Sequence, residues 1–336
     1  MTSWKPQKQY MYPIKFKPIL KQHIWGGDAL LEIKKGQRLR VDKSKTYGES
    51  WDVSGIEGNI SVISNGFLKG NNLQEATEVY MGELVGESVF EHYGIEFPLL
   101  LKTLYCKDKT SVQVHPDDDL AAERHQSCGK TEMWYIVDAE PGALLYIGFK
   151  DANITREQYI EAVAKGTISE IIEPVSIKAG DAFLIPSGTV HSISGGVTLV
   201  EIQQPVDLTY RIFDWNRVDN EGNPRELHTA YAVDAIDFSS NAAACKRNYK
   251  VVVNQATEIA NCDYFTCNIL KVESLTERNL STIDSFVLYY CTEGSIEVIT
   301  DDGTETINRG EVVLIPADSN EISFNGSATL LEYYID

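Results

Sequence analysis

A nine-residue pattern occurs twice in this 336-residue chain, with its copies 130 positions apart. Lys178-Ala-Gly-Asp-Ala-Phe-Leu-Ile-Pro186 aligns with Asn308-Arg-Gly-Glu-Val-Val-Leu-Ile-Pro316. Each copy reads as a turn carrying glycine and an acid, then an apolar strand, then a proline that ends it. Gly180 and Gly310 suit the positive φ of a tight turn. Ser192 to Glu201 and Ile322 to Leu331 follow as strand, glycine-containing turn and strand. A repeated unit of this kind in β-rich sequence predicts two related double-sheet barrels.

The copies diverge where chemistry would be placed. His191 of the first corresponds to Glu321 of the second, and Phe286 to Thr300 offers nothing like Gln113-Val-His115. The second barrel is therefore expected to be structural. Helical signals cover Leu73 to Tyr93 and Ile154 to Ile172. The latter opens on Thr155-x-x-Gln158, a capping box, with Ile154 and Tyr159 placed as a hydrophobic staple. Asp219 to Arg225 reads as a polar surface loop, and Ser239 to Arg247 as an inter-domain linker. The expected fold is mainly β: two jelly-roll barrels with helical insertions in the N-terminal part. Residues 1–240 form the catalytic domain in this reading, and residues 241–336 a degenerate copy.

Residues two apart on a strand share a face. Ser111, Gln113 and His115 fall on one such face, and Lys130 and Glu132 on another. With His191 after Pro186-Ser-Gly-Thr-Val190, they offer two imidazoles, a carboxylate and an amide oxygen. That set suits a single divalent cation with a position open to substrate. By chemistry alone the choice between zinc and Fe(II) stays open. His23, His92, His125 and His228 lack such company and read as packing residues. Trp25, Trp51 and Trp134 read as core aromatics. Gly26 and Gly27 read as turn residues, since no glycine-rich phosphate loop surrounds them.

The formal charge is −19, which argues against nucleic-acid binding. An anionic ligand would need a local cluster of cations to overcome that field. Lys102, Lys130 and Arg211 are the candidates. Glu201 lies on an inward-facing strand, where a carboxylate must be either paired, for example with Arg211, or functional. No apolar run spans a bilayer. The N-terminal Met-Thr-Ser-Trp-Lys-Pro-Gln-Lys lacks signal-peptide character, so a cytoplasmic setting is expected. The six cysteines have no framework spacing and read as reduced thiols.

Several segments occur in an order that carries a resemblance: Trp25-Gly-Gly27, Gly48-Glu-Ser-Trp51, Phe97 to Lys102, Ser111 to Asp117, Gly129 to Tyr135, Pro186 to His191 and Thr209-Tyr-Arg211. Together they resemble the type I mannose-6-phosphate isomerases in their short bacterial form, within the cupin superfamily. The resemblance implies one zinc ion per chain on Gln113, His115, Glu132 and His191. It implies a phosphate-binding serine at Ser111 and substrate-facing lysines at Lys102 and Lys130, with an active-site glutamate and arginine at Glu201 and Arg211. Catalytic roles then fall on Arg211, Glu201 and Lys130, the last also touching substrate. The reaction implied is interconversion of mannose 6-phosphate and fructose 6-phosphate through a cis-enediol. Glu201, a lysine and a metal-held water all stay open as the proton carrier. Longer members follow the arginine with a Gly-Leu-Thr-Pro-Lys-like segment, replaced here by Ile212 to Arg217, with Arg217 as a substitute for its lysine. A metal-dependent cupin oxygenase and a non-catalytic sugar-phosphate-binding barrel are the alternatives from other classes.

Overall fold

The structure, a computed structural model, describes residues 11–336 apart from 38, 40, 43 and 220. The N-terminal stretch read for a signal peptide, and Asn220 of the polar loop, lie outside these residues. Two compact units are formed, and neither is a single stretch of chain. One comprises Pro18–Ser61 with Phe97–Tyr249, and the other joins Lys250–Asp336 to Val62–Glu96 and the segment ending at Lys17. The helical stretch after Leu73 thus belongs with the C-terminal strands.

Among the described residues, the unit that holds the site has twelve strands. In chain order they are β1 (Ile19–Gln22), β2 (Tyr47–Ser54), β3 (Leu100–Cys106), β4 (Val112–Val114), β5 (Glu132–Ala139), β6 (Leu144–Phe149), β7 (Ile172–Ser176), β8 (Ala182–Ile185), β9 (His191–Ile193), β10 (Val197–Gln203), β11 (Tyr210–Phe213) and β12 (Lys246–Arg247). They form two antiparallel sheets, ordered β12-β8-β5-β10-β3-β2-β1 and β11-β4-β9-β6-β7. The apolar side chains of Leu104, Trp134, Ile136, Phe183 and Leu199 from the first sheet pack with Leu145, Ile147 and Ile193 from the second. That is the double-sheet barrel expected from the repeat.

Alternation along the strands decides which residues enter the barrel. On β4, Val112 and Val114 join an outer core with Tyr159, Ile168 and Ala232. Gln113 is therefore turned the opposite way, into the barrel. The helix Arg156–Lys165 supplies Tyr159 and begins at Thr155 with both hydrogen bonds of the expected capping box. On β10, Glu201 lies opposite Lys102 of β3 and Trp134 of β5. Two residues along, Gln203 lies opposite Glu132. One end of the barrel interior is consequently ionisable and the other, around Leu104, Ile136 and Leu199, is apolar.

Two sequence expectations need correction. The Leu73–Tyr93 stretch is not one helix but three, Leu73–Tyr80, Gly82–Val85 and Glu87–Tyr93. It breaks where Met81 and Gly86 take φ of 47° and 100°. Ser239–Arg247 is not a plain linker, because Asn241 caps a short helix, Ala242–Cys245, and Lys246–Arg247 pairs with β8.

The other unit contains β13 (Ala256–Cys262), β14 (Phe265–Val272), β15 (Thr276–Asn279), β16 (Val287–Thr300), β17 (Gly303–Asn308), β18 (Val312–Ile315) and β19 (Glu321–Tyr334). The repeat extends into their register. Phe183 pairs with Trp134 in the first barrel, and Val313 with Tyr289 in the second. Trp134 pairs onward with Glu201, and Tyr289 with Glu332. Glu332 is thereby the counterpart of Glu201. By the same register the counterpart of Glu132 is Val287, since Ile185 pairs with Glu132 and Ile315 with Val287. A ligand-type carboxylate is lost at that position.

Candidate active site

His115, Glu132 and His191 bring ligand atoms within 4.8 Å of one another, and all three are buried. They come from both sheets: Glu132 opens β5, His191 opens β9, and His115 follows β4. His115 Nδ1 lies 2.9 Å from the Leu208 carbonyl and His191 Nδ1 lies 2.9 Å from the Thr189 carbonyl. A carbonyl only accepts, so each Nδ1 carries the proton and each Nε2 presents a lone pair. Those lone pairs face the carboxylate: His115 Nε2 is 3.5 Å from Glu132 Oε2, and His191 Nε2 is 3.3 Å from Oε1.

Four acceptor atoms thus converge with no proton between them. His115 Nε2 and both Glu132 oxygens have no hydrogen-bond partner, although Lys130 Nζ makes a charge contact with Oε2 at 3.1 Å. Mutual repulsion of this kind is relieved by a cation at the centre. Burial, with the Lys130 charge next, pushes the His115 imidazole down to about 3, and burial also lowers His191. Both are held neutral, the state in which imidazole binds a metal. Burial alone would raise Glu132, but Lys130, His115 and His191 together outweigh it and keep the carboxyl well below its usual range. Gln113 completes the set. Its Nε2 lies 3.1 Å from His191 Nε2, and a half-turn of the amide would present Oε1 instead. These residues fit a divalent ion bound by nitrogen and oxygen.

Beside this cluster opens a cavity of about 310 Å³ lined by Lys102, Ser111, Gln113, Lys130, Glu201 and Arg211, among others. Glu201 Oε2 accepts from Trp134 Nε1 at 3.0 Å. Its Oε1 is 3.1 Å from Lys102 Nζ and 4.0 Å from Lys130 Nζ. The carboxyl is raised by burial and by Glu132, against the pull of both lysines. Burial would depress Lys102, but Glu201 and Glu49 outweigh it and hold the ammonium above its ordinary range. A larger cavity, about 430 Å³ and lined by Ser88, His92 and Asp284, lies in the other unit, away from this chemistry.

Comparison with known proteins agrees with this geometry. Residues 14–144 match the phosphomannose isomerase type I catalytic domain, and residues 255–335 the mannose-6-phosphate isomerase cupin domain. The chain is 32% identical to the mannose-6-phosphate isomerase ManA of Bacillus subtilis, over 94% of this chain and 96% of that one. It belongs to the type I mannose-6-phosphate isomerase family. A crystal structure of the mannose 6-phosphate isomerase from Bacillus subtilis superposes with a TM-score of 0.86 at 30% identity, covering 97% of this chain and all of that one (100%). A putative mannosephosphate isomerase from Archaeoglobus fulgidus shares the fold, with a TM-score of 0.77 at 17% identity and coverage of 98% and 99%.

Gln113, His115, Glu132, His191, Ser111, Lys102, Lys130, Glu201 and Arg211 all lie in the cluster or line the cavity, but some contacts differ from expectation. Glu201 pairs with Lys102, not with Arg211. Among the described residues Arg211 has no ion pair; its Nη1 donates to the Glu226 carbonyl at 2.8 Å, and its buried Nε has no acceptor. Arg217 is turned from the cavity and held by Asp214 at 2.6 Å and Asp108 at 3.5 Å. The cation that does line the cavity is Arg225, from the stretch read as a surface loop. His23 and Glu49 also line it, 3.3 Å apart, with Glu49 in turn accepting from Trp51 Nε1 at 2.8 Å. The alternation of β2 could have signalled Glu49, whereas Arg225 carried no periodic signal. Trp25 and Trp134 are core residues as expected, and also cavity wall.

Proposed function

We propose that the chain interconverts mannose 6-phosphate and fructose 6-phosphate through a cis-enediol, in the cytoplasm. The observation that carries the site assignment is the convergence of acceptor atoms from His115, Glu132 and His191, with no proton between the imidazoles and the carboxylate, beside a cavity lined by Glu201. A single divalent ion, zinc in this reading, would be held by these three residues with Gln113 and would act as a Lewis acid on the O1/O2 side of the sugar.

The chain's own groups do the rest. Glu201, raised by burial and lying against Lys102, takes the proton from C2 of the open-chain aldose and returns it to C1. The hydroxyl proton leaves O2 and arrives at O1, so the sugar's composition is unchanged. Lys102 steadies the Glu201 carboxylate, and Trp134 Nε1 fixes its other oxygen. Lys130 and Arg211 place positive charge beside the oxygens that become negative. Ser111 donates its hydroxyl to the phosphate, anchoring the substrate at a distance from the reacting carbons. The C-terminal barrel has a structural role in this assignment.

The test is metal analysis together with a coupled assay for fructose 6-phosphate formed from mannose 6-phosphate. The expected result is about one zinc per chain and turnover abolished with metal content by His191→Ala. Full turnover by that variant after chelator treatment would overturn the site assignment. A zinc-free protein inert on this sugar would overturn the reaction.

A further inference from the structure

The charged side chains of the cavity fall into two groups. Lys102 and Lys130 form one, with the carboxylates of Glu49, Glu132 and Glu201 around them at 3.1 to 4.0 Å. Two ammonium groups therefore face three carboxylates. A dianionic phosphate placed there would meet carboxylates at close range, in a buried site where repulsion is poorly screened.

The opposite balance holds around Asp214. Asp214, buried, accepts from Arg225 Nε at 2.8 Å and from Arg225 Nη2 at 2.5 Å, and also from Arg217 Nη2 at 2.6 Å. Arg211 stands beside them without an ion pair among the described residues, its Nε buried and without an acceptor. Three guanidinium groups thus gather around one buried carboxylate. Burial and then the Arg225 charge lower Arg211, against the opposing pull of Asp214. Only Arg211 and Arg225 of the three line the cavity. Arg225 reaches it because the loop closes on itself: Val218 pairs with Pro224, and Asp219 N donates to the Asn223 carbonyl at 2.8 Å. With Nε and Nη2 on Asp214, its Nη1 has no hydrogen bond to any described residue.

We propose that Arg225, oriented by Asp214 beside Arg211, binds the phosphate of the substrate, and that Asp214 is its positioning residue. The inference rests on the reading of the cavity as a sugar-phosphate site. It moves the charge that holds the phosphate from the two lysines to Arg225. A guanidinium held in plane by a carboxylate can offer its remaining edge to phosphate oxygens with little further ordering.

The test uses the metal-loaded enzyme with Arg225→Ala, Arg225→Lys and Asp214→Asn. Steady-state kinetics on mannose 6-phosphate would be run beside calorimetric titration with inorganic phosphate. In Arg225→Ala, KM should rise and phosphate affinity fall, each by about ten- to a hundredfold, the worth of a hydrogen bond to a charged group. Its kcat should stay within about threefold. Arg225→Lys should recover part of the affinity, and Asp214→Asn should raise KM less than Arg225→Ala does. A folded Arg225→Ala with unchanged phosphate affinity would overturn the proposal, as would a loss confined to kcat. If the alanine variant does not fold, the lysine variant decides: phosphate affinity equal to the parent's overturns the proposal. The titration needs no turnover. A parent protein that binds phosphate through Arg225 but fails to isomerise the sugar would sink the reaction and leave this site standing.

Discussion

Glu201 is the carboxylate whose protonation state the reaction would depend on, and its surroundings make that dependence testable. Burial and Glu132 raise it, while Lys102 at 3.1 Å draws it down. As a base it must be ionised, so kcat/KM should fall as pH drops through its raised pKa. Removing the cation removes the downward pull. Lys102→Met should therefore move the acid limb of the kcat/KM profile to higher pH, and a limb that stays put or moves down would remove Glu201 from the role. Much of this site was legible because strand alternation is strict. Gln113 had to turn away from Val112 and Val114 wherever the strand lay, and His115 and Lys130, just outside the strands, keep the faces of Gln113 and Glu132. Pairings between elements were not legible in that way. Glu201 met Lys102 instead of Arg211 because β10 lies between β3 and β5, a neighbour relation that spacing along the chain does not encode. Arg225 was hidden for a different reason: a loop residue has no period, and its direction follows from how the loop closes.

At the scale of elements, the two barrels show one architecture with and without the cluster of His115, Glu132 and His191. In the second barrel the counterpart of Glu201, Glu332, is buried and bound on both oxygens. Arg278 donates to it from Nε at 3.0 Å and Nη2 at 2.7 Å, Tyr289 Oη at 2.6 Å and Asn268 Nδ2 at 2.7 Å. The guanidinium neutralises and ties down the carboxylate from within the chain, and burial and Glu332 hold the Tyr289 phenol well above its usual range. Such a closed network has no orphaned acceptor to offer a ligand. Arg278→Ala should cost about 3 kcal/mol, since it leaves a carboxylate buried without its cation. Arg278→Met with Glu332→Leu should recover much of that loss, which a urea-unfolding comparison of the three proteins would measure. Equal stability of Arg278→Ala and the parent would mean the network contributes nothing. The repeat that predicted both barrels was legible through its turn and proline. The helix breaks at Met81 and Gly86 were not, because the apolar spacing runs on through them and only the backbone angles depart.

For the molecule as a whole, a formal charge of −19 sets the terms on which an anionic substrate and a cation can be taken up. A net negative field favours a divalent cation and opposes a sugar phosphate, so a phosphate subsite would have to supply its own positive charge while an ion site would not. The cluster of His115, Glu132 and His191 concentrates acceptors with Lys130 as their neighbouring cation, and without an ion the remaining repulsion is borne by the folded state. An ion that binds the folded chain and not the unfolded one stabilises it by mass action, by about 2.7 kcal/mol when the free ion is a hundred times its Kd. Chelation should therefore lower the melting temperature as well as abolish turnover, and restoring a divalent ion should reverse both. His191→Ala separates this effect from a general response to chelator or salt. Without that imidazole the melting temperature should no longer rise with added ion, even though the net charge at neutral pH is unchanged. A variant that gained as much from the ion as the parent does would place the bound cation elsewhere and detach the cluster of His115, Glu132 and His191 from metal binding.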